Sequence, residues 1–418
     1  MKKKILFLLF TFMVGNLYSM EITLQEAIRK GVSENVNVKN EKITQENTEI
    51  MKKQAIKTAL PKVKLTSSYT KFENPMNPMD KNSDNMYGNK ISIEQPIFTG
   101  GKILIGIDTA DLLGKQGNYL LEKKEKDAEL EITKSYITIL KLEKNREVLK
   151  DSLEQLKETY KMINAQYKLN LITKTPLLEI DYTMTNLDSQ LLELEKGIKI
   201  SKANLKRLIG MANSETIELK DISIKENQEK ILNIDEGIKI AKENGTDVKL
   251  VKIGTEFQEM NTKLKRADLF PTIAFNFGIE NSSTDIEGIK DKWNWSGTIM
   301  FSYNLFDFGN SQDEYRKSKN ELKISKNSEK NSLEQLEIGI RNSYYELEIS
   351  KKLIKAKEQA LASSKEQYEL DKGRHIAGLI TTTDFLKSEN NLRQSEINLI
   401  NARLDYYLAE KTYENKIK

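Results

Sequence analysis

Phe98-Thr99-Gly100-Gly101 separates a strand pattern from a very long helical pattern, and it returns roughly 210 residues later as Phe306-Asp307-Phe308-Gly309. The turn Leu171-Ile172-Thr173 returns in the same way as Leu379-Ile380-Thr381. A repeat of this kind determines the architecture, because each copy is one structural unit. Each half is therefore predicted to contain a short helix, two strands joined by a loop, a very long helix, a tight turn and a second long helix.

The repeat also predicts the division of the chain. We expect a first repeat over 20–210, a linker over 211–232 and a second repeat over 233–418. Residues 1–19 combine three lysines, an apolar stretch and the small residue Ser19, which is typical of a secretory signal peptide. A membrane anchor is the alternative, but the apolar stretch is shorter than the roughly 20 residues that a spanning helix needs.

Composition excludes several classes of protein. The 66 Lys and Arg nearly balance the 62 Asp and Glu, and loss of Lys2, Lys3 and Lys4 with the signal peptide lowers the formal charge from +4 to +1. Such a balance argues against nucleic acid as a partner. The chain has no cysteine, so disulfides, thiol chemistry and a lipidated N-terminus are not expected. Without a phosphate-binding loop, a nucleophile elbow or clustered His and Cys, the sequence predicts neither an enzyme nor a cofactor or metal site.

The helical segments carry heptad patterns. Apolar residues from Leu177 to Leu208 recur at alternating spacings of three and four, which predicts coiled-coil packing against an antiparallel neighbour, 102–168. That neighbour lacks proline and is long enough to extend about 100 Å. A second helical hairpin is predicted over 310–374 and 384–413. Its last helix has an additional stripe, which indicates packing on two sides: Ile397, Ile400, Leu404 and Tyr407.

Between the helices the period changes to two, as in strands. The second half shows it most clearly, and weaker equivalents occupy 63–72 and 91–98. The alternating apolar residues are predicted to face lipid, with the tryptophans near a membrane interface: Ile273, Phe275, Phe277, Ile279, Trp293, Trp295, Ile299, Phe301 and Tyr303. Two soluble hairpins on a domain core remain the alternative. Four strands cannot stand alone in lipid, because open edges leave backbone groups unpaired, so several chains must close one barrel.

Taken together, these motifs resemble the TolC-like outer-membrane efflux family over essentially the whole mature length. The resemblance rests on the order and duplication of motifs that are individually weak: Leu24-x-Glu26-Ala27-Ile28, Leu60-Pro61 and its counterpart Phe270-Pro271, Gln95-Pro96-Ile97-Phe98-Thr99-Gly100-Gly101, and Ala377-Gly378-Leu379-Ile380-Thr381 followed by Asp384-Phe385-Leu386.

The resemblance implies a fold that is mainly α with a membrane β-barrel portion, closed by three chains as a 12-stranded barrel and an α-helical tunnel. It implies a homotrimer in the outer membrane of a Gram-negative-type bacterium, reaching into the periplasm. An inner-membrane transporter would load it through a periplasmic adaptor, in efflux or type I secretion. An exported periplasmic coiled-coil spacer and a passive porin are the competing functions.

The resemblance also points to two groups of site residues. The tunnel aperture is expected at Asp384, Lys387 and His375, where lysine stands at a position that the best-known members fill with aspartate. An N-cap or first-turn role for Asp384, and an ordinary helix position for His375, are the alternatives. The adaptor is expected at the two turns, where local packing is the alternative: Asn170, Leu171, Ile172, Thr173, Gly378, Leu379, Ile380 and Thr381.

Overall fold

The computed structural model describes residues 20–73, 84–222, 233–284 and 293–418. The predicted signal peptide lies outside the described residues, as do much of the predicted linker and of the two strand loops. In chain order the elements are β1 (Met20–Ile22), α1 (Leu24–Glu34), α2 (Val36–Lys57), β2 (Lys62–Lys71), β3 (Asn85–Phe98), α3 (Lys102–Lys168), α4 (Thr175–Leu208), β4 (Ile217–Leu219), α5 (Ile234–Asn244), α6 (Thr246–Ala267), β5 (Thr272–Ser283), β6 (Asn294–Ser302), α7 (Asn310–Ile376) and α8 (Thr382–Ile417).

The chain forms two compact units, and each unit is assembled from both halves of the sequence. The first unit contains β1, β4, α1, most of α5, the C-terminal parts of α3 and α7, and all of α4 and α8. The second contains β2, β3, β5 and β6, most of α2, all of α6, and the N-terminal parts of α3 and α7. Within the described residues, no helix is both long enough and apolar enough to cross a membrane.

In the first unit the heptad seam of α4 is buried against α3. Leu187 and Leu191 of α4 lie in one cluster with Leu149, Leu153 and Leu156 of α3. Burial of each such side chain contributes about 1.5–3 kcal/mol. Leu386 and Ile397 of α8 pack against the same cluster, while Phe385, on another side of α8, packs against Tyr368 of α7 with ring centroids 5.9 Å apart. The two-sided packing predicted for the last helix is confirmed.

A parallel strand pair that the sequence did not reveal lies against α3 in this unit. Met20–Ile22 pairs with Ile217–Leu219, and the second of these strands lies within the predicted linker, 211–232. The hydroxyl of Tyr136 is buried 2.9 Å from the carbonyl oxygen of Ile22 and 2.6 Å from that of Lys220. Burial raises the pKa of Tyr136, so the hydroxyl keeps its proton and can donate to these carbonyls.

The second unit is built on an antiparallel sheet with the strand order β2-β3-β5-β6. The central pair, β3 with β5, joins the two halves of the chain, and each half supplies one hairpin. Strand β3 begins at Asn85, six residues before the Ile91 predicted from alternation, because its polar first residues still pair with Tyr69 and Lys71 of β2.

Candidate functional site

The turn of the first hairpin contains a residue in the left-handed conformation. Asn170 has a φ of 56°, and asparagine tolerates this conformation better than most residues. The amide of Leu171 donates to the carbonyl of Gln166 at 3.0 Å, which closes the end of α3. Leu171 and Thr173 are exposed, and Leu171 shows 69% of its surface to solvent.

The second hairpin turn repeats this geometry with glycine in the left-handed position. Gly378 has a φ of 72°, and the amide of Leu379 donates to the carbonyl of Arg374 at 2.8 Å. Leu379 is 75% exposed, while Ile380 is half-buried. The two turns therefore present one equivalent pair of exposed leucines, Leu171 and Leu379, while Leu169 of the first turn is also exposed and aligns with Ala377.

The apolar turn residues differ in their packing. Ile172 lies against the buried residues Ile163, Leu177 and Ile180, so local packing accounts for it. The exposed leucines, by contrast, have no such cover among the described residues of the chain. Of the predicted docking set, the structure thus leaves Leu171 and Leu379 as the apolar side chains available to a partner.

The start of α8 places Asp384 in the first turn and Lys387 in the second, and both are exposed. Thr381 is the N-cap residue, and its hydroxyl oxygen accepts from the amide of Asp384 at 3.1 Å and donates to the Asp384 carboxylate at 2.7 Å. Asp384 therefore has the first-turn role considered from the sequence, which leaves its carboxylate close to the positive end of the helix dipole.

A shallow groove between α4 and α8 adjoins this turn. Lys387 lines it together with Tyr182 and Gln190 of α4. At its rim the hydroxyl of Thr383 donates to both carboxylate oxygens of Glu179, at 3.0 and 3.1 Å. Sequence analysis missed Glu179, because nothing in its spacing distinguishes it from other exposed acidic residues on α4.

His375 occupies the last turn of α7 and contacts α8. Its ring is stacked on Phe385, with centroids 4.8 Å apart and planes inclined by 11°. Its Nε2 lies 3.1 Å from the hydroxyl oxygen of Thr382, and Phe385 is buried. Partial burial lowers the pKa of His375 below its usual 6.5. The neutral imidazole therefore belongs to the packed hairpin end.

This lowered pKa predicts acid sensitivity of the second hairpin. A histidine whose folded pKa is depressed contributes its stability fully above the unfolded pKa of 6.5, and that contribution is lost as the pH falls below it. We expect the free energy of unfolding to fall less between pH 7.5 and pH 5 in His375→Gln than in the unsubstituted protein. A urea titration at each pH measures this, and identical pH dependence in both proteins would exclude the role of His375.

A buried charged cluster further toward the C-terminus of α8 was also missed by sequence analysis. The guanidinium of Arg393 donates to the Glu389 carboxylate at 2.7 Å and to the Ser152 hydroxyl oxygen at 3.0 Å. The Ser152 hydroxyl in turn donates to Glu389. The Arg393 and Glu389 side chains are only 10% and 4% exposed, so each charge depends on the other. This cluster joins α8 to α3.

Seven of the nine predicted lipid-facing residues lie within strands and share one face of the sheet. Residues opposite each other in a ladder share a face, and Ile273 pairs with Phe301, Phe275 with Ile299, and Ile279 with Trp295. The same face continues through Ile91 of β3, which pairs with Ile279, and Leu65 of β2. Phe277 stacks on Trp295 with centroids 6.4 Å apart.

Exposure of this face rises toward the edge strand. The central-strand residues Ile273, Phe275, Phe277 and Ile279 are half-buried, because strands flank them on both sides. Trp295, Ile299 and Phe301 of the edge strand are 75%, 70% and 63% exposed. Trp293 precedes β6 and Tyr303 follows it, and both are exposed. Within the described ranges, no group of three or more His, Cys, Asp or Glu is placed to hold a metal ion.

Both halves of the repeat match one protein family. A family model described as outer membrane efflux protein matches residues 33–211 and 238–413, which are the two halves of the repeat. A search of curated proteins finds no match.

Solved structures with the same fold include outer-membrane proteins from several sources. CusC gives a TM-score of 0.83 at 11% identity, over 96% of this chain and 93% of that one. The outer membrane protein VceC of Vibrio cholerae gives 0.80 at 14%, over 94% and 95%. The outer membrane channel CmeC of Campylobacter jejuni gives 0.78 at 16%, over 94% and 85%. These findings confirm the predicted duplicated, mainly helical TolC-like fold.

Proposed function

Because the chain belongs to the outer membrane efflux protein family, we propose that it forms a homotrimeric exit duct. An inner-membrane transporter would load this duct through a periplasmic adaptor, in efflux or type I secretion. Family membership confirms an outer-membrane efflux protein rather than an enzyme. The trimer, the adaptor, the transporter and a non-lipidated N-terminus belong to the proposal.

The four-stranded sheet is the observation that carries this proposal. Within the described residues its two edges are β2 and β6, and every residue of both strands is exposed. A sheet with free edges cannot lie in lipid, where unpaired backbone groups have no water to bind. Pairing of β6 with β2 of another copy would satisfy both edges, and three copies would supply twelve strands, within the range of known membrane barrels.

The apolar face would then be the outer surface of that barrel. Its residues alternate with small and polar ones, as expected of strands between lipid and an aqueous lumen. We assign to the lipid face Ile273, Phe275, Phe277, Ile279, Trp293, Trp295, Ile299, Phe301 and Tyr303. Trp293 and Tyr303 flank β6 at its two ends, where aromatic residues prefer the membrane interface.

Membrane extraction followed by single-channel recording tests the function. The mature protein should require detergent for extraction and should form small, rarely open channels in a planar bilayer, because the proposed helical tunnel would be nearly closed. A large, permanently open conductance would instead indicate a porin. Extraction without detergent, or no channels from folded trimers, would indicate a periplasmic spacer.

The hairpin end of α8 is the proposed aperture. Asp384 and Lys387 are both exposed, so rings of opposite charge from three copies would lie one helical turn apart. We expect Lys387→Asp to increase the preference for cations and Asp384→Asn to decrease it, since focused charge concentrates counter-ions. Reversal potentials in a salt gradient measure both, and unchanged values would place these side chains away from the ion path. His375 would contribute to the same end by fixing α7 on α8.

We propose that the adaptor binds at Leu171 and Leu379 and at the two turns that contain them. Asn170, Leu171, Ile172 and Thr173 would act with the equivalent Gly378, Leu379, Ile380 and Thr381. The groove lined by Glu179, Tyr182 and Lys387 lies beside them. An adaptor with an apolar hairpin tip would bury leucines that otherwise contact water.

Charge substitution at these leucines should separate docking from folding. We expect Leu171→Asp and Leu379→Asp to abolish transport without lowering the yield of trimer, because both side chains are largely exposed in the chain. Ile172→Asp is the contrasting variant and should destabilise the hairpin, since Ile172 packs on Ile163 and Ile180. Transport assays and trimer yield are the measurements. Intact transport in both leucine variants would contradict the docking role.

A further inference from the structure

The turns that follow β3 and β6 have the same backbone geometry but different residues. In the first half, Gly100 and Gly101 have φ angles of 65° and 88°. In the second half, the equivalent Phe308 and Gly309 have φ angles of 58° and 83°. A bulky residue in this left-handed conformation is an outlier, because its Cβ is forced toward the following carbonyl oxygen.

Close packing explains the glycine of the first half. A Cβ at Gly100 would lie 2.5 Å from the carbonyl oxygen of Ala267 and 3.1 Å from the Cβ of Phe270. The turn after β3 thus lies directly against the segment that leads into β5. An ion pair of 2.6 Å between Lys102 and Asp268 supports the same junction.

Nothing comparable covers the second-half turn in the described part of the chain. Phe308 is 90% exposed, and its ring contacts that of Phe306, which is 76% exposed, at 4.7 Å. Asp307 holds the strained turn by accepting from the amides of Gly309 at 3.0 Å and Ser311 at 2.9 Å. The hydroxyl of Ser311 also donates to this carboxylate, and this bond, together with the two amide bonds, lowers the pKa of Asp307 and keeps it charged. Two aromatic side chains are therefore fixed in solvent, although glycine would avoid the strain.

The internal repeat identifies what would cover them. In the repeat, β3 corresponds to β6, and β5 corresponds to β2. The central pair β3 and β5 therefore corresponds to β6 and β2, which are the two edge strands of the sheet. The contact of Gly100 with Phe270 inside one chain thus corresponds to a contact of Phe308 with Leu60 between two chains. Leu60 is itself 55% exposed.

We infer that Phe308 of each copy packs against the Leu60–Pro61 bend of the next copy and forms an apolar contact between subunits where β6 meets β2. This inference rests on the proposed closure of a barrel by several copies. The junction between subunits must have room for the Phe308 side chain, whereas inside one chain even a Cβ at Gly100 would lie too close to Ala267. The equivalents of Lys102 and Asp268 are Asn310 and Thr58, so the ion pair of the inner junction is absent there and an apolar contact replaces it.

The strand register agrees with this assignment. Inside the chain, Ile93 pairs with Phe277 and Ile91 with Ile279. The equivalent positions of the repeat are Phe301 and Ile299 in β6, and Ser67 and Tyr69 in β2. At the subunit junction, Phe301 would therefore lie opposite Ser67 of the next copy, and Ile299 opposite Tyr69. Both pairs lie on the apolar face, because Ser67 and Tyr69 follow Leu65 at even spacing along β2, and Leu65 pairs with Ile91 on that face. A register shifted by one residue would place apolar side chains of the two copies on opposite faces.

Cysteine cross-linking tests the contact, because the chain has no cysteine of its own. The double variant Leu60→Cys/Phe308→Cys, purified in detergent and treated with a short bismaleimide, should give covalent dimers and trimers on a denaturing gel. A link within one chain would leave the band at monomer size. Leu60→Cys/Ile324→Cys is the matched control, since Ile324 is also exposed but lies about 24 Å further along α7.

The outcomes separate the contact from the proposed function. The contact is supported if native mass spectrometry detects trimers and the Leu60→Cys/Phe308→Cys variant gives a ladder of covalent dimers and trimers on the gel. Trimers without the ladder, or with an equal ladder from the control, overturn the contact and leave the trimeric duct intact. Protein that is only monomeric overturns both.

Phe308→Gly provides a second test that does not depend on cysteine chemistry. A turn strained for local reasons alone would become more stable with glycine, as in the first half. A subunit contact predicts the opposite for the assembly: the temperature at which trimers dissociate in detergent should fall, while the monomer keeps its helical circular dichroism. An unchanged or raised dissociation temperature would overturn the inference.

Discussion

Replacing Gly100 with alanine is expected to lower the free energy of unfolding by about 2–4 kcal/mol. About 1–2 kcal/mol comes from an L-residue in the left-handed conformation, because Gly100 has a φ of 65°. The remainder comes from overpacking, because the new Cβ would lie 2.5 Å from the carbonyl oxygen of Ala267. A carbonyl oxygen of the backbone cannot swing aside as a side chain can. Urea titration in detergent, followed by fluorescence of Trp293 and Trp295, measures the loss.

The neighbouring glycine is a matched control. Gly101 has a φ of 88°, yet a Cβ there would have no atom within 4 Å. Gly101→Ala should therefore show the conformational cost alone, about 1–2 kcal/mol. Equal losses in the two variants would mean that the segment leading into β5 yields freely, and the close junction would then have no energetic importance.

Replacing Arg393 with methionine should cost about 3–5 kcal/mol, because it leaves the Glu389 carboxylate buried without a partner. The Glu389 side chain is 4% exposed, and the hydroxyl of Ser152, which also donates to its carboxylate, cannot neutralise a charge. The double variant Glu389→Leu/Arg393→Met should recover most of the loss, since apolar residues of similar volume replace a buried ion pair at little cost. Urea titration of the unsubstituted protein, the two single variants Arg393→Met and Glu389→Leu, and the double variant gives the coupling between the two sites.

An exposed pair with the same spacing provides the control for helix effects. Lys352 and Glu348 are also four residues apart at 2.8 Å, but their side chains are 74% and 45% exposed. Lys352→Met should therefore change the free energy of unfolding by about 0.5 kcal/mol or less. A similar small change in Arg393→Met would show that water reaches Glu389 and that the α3–α8 contact does not depend on this pair.

Periodic features of this fold could be predicted from the sequence, because periodicity records which side of an element is covered. The heptad seam of α4 and the alternation in β5 and β6 each extend over many residues, so single exceptions do not hide them. Asn170 was also predictable as the left-handed residue of its turn, since the repeat aligns it with Gly378. Here the internal duplication provided information that one copy alone would lack.

The charged cluster of α8 could not be predicted, for a physical reason. Glu389 and Arg393 have the same i,i+4 spacing as the exposed pair Glu348 and Lys352, and burial alone distinguishes them. The burial of Glu389 and Arg393 involves α3, whose Ser152 contacts Glu389 although it lies 237 residues away along the chain. Within the predicted docking set the sequence likewise cannot distinguish Ile172 from Leu171, because only packing against Ile163 separates the half-buried Ile172 from the exposed Leu171.

The position of the β3–β5 pair has a consequence for how the protein acquires its structure after synthesis. Each hairpin, β2–β3 and β5–β6, is local, and a lone two-stranded hairpin is at best marginally stable in water. The ladder that joins them links Tyr87 to Ser283 and Phe98 to Ile273, so it cannot form before most of the chain exists. Pairing over such sequence separation is slow, and unpaired strands aggregate meanwhile. Folding of the sheet should therefore depend on a holding factor that protects both hairpins until they meet.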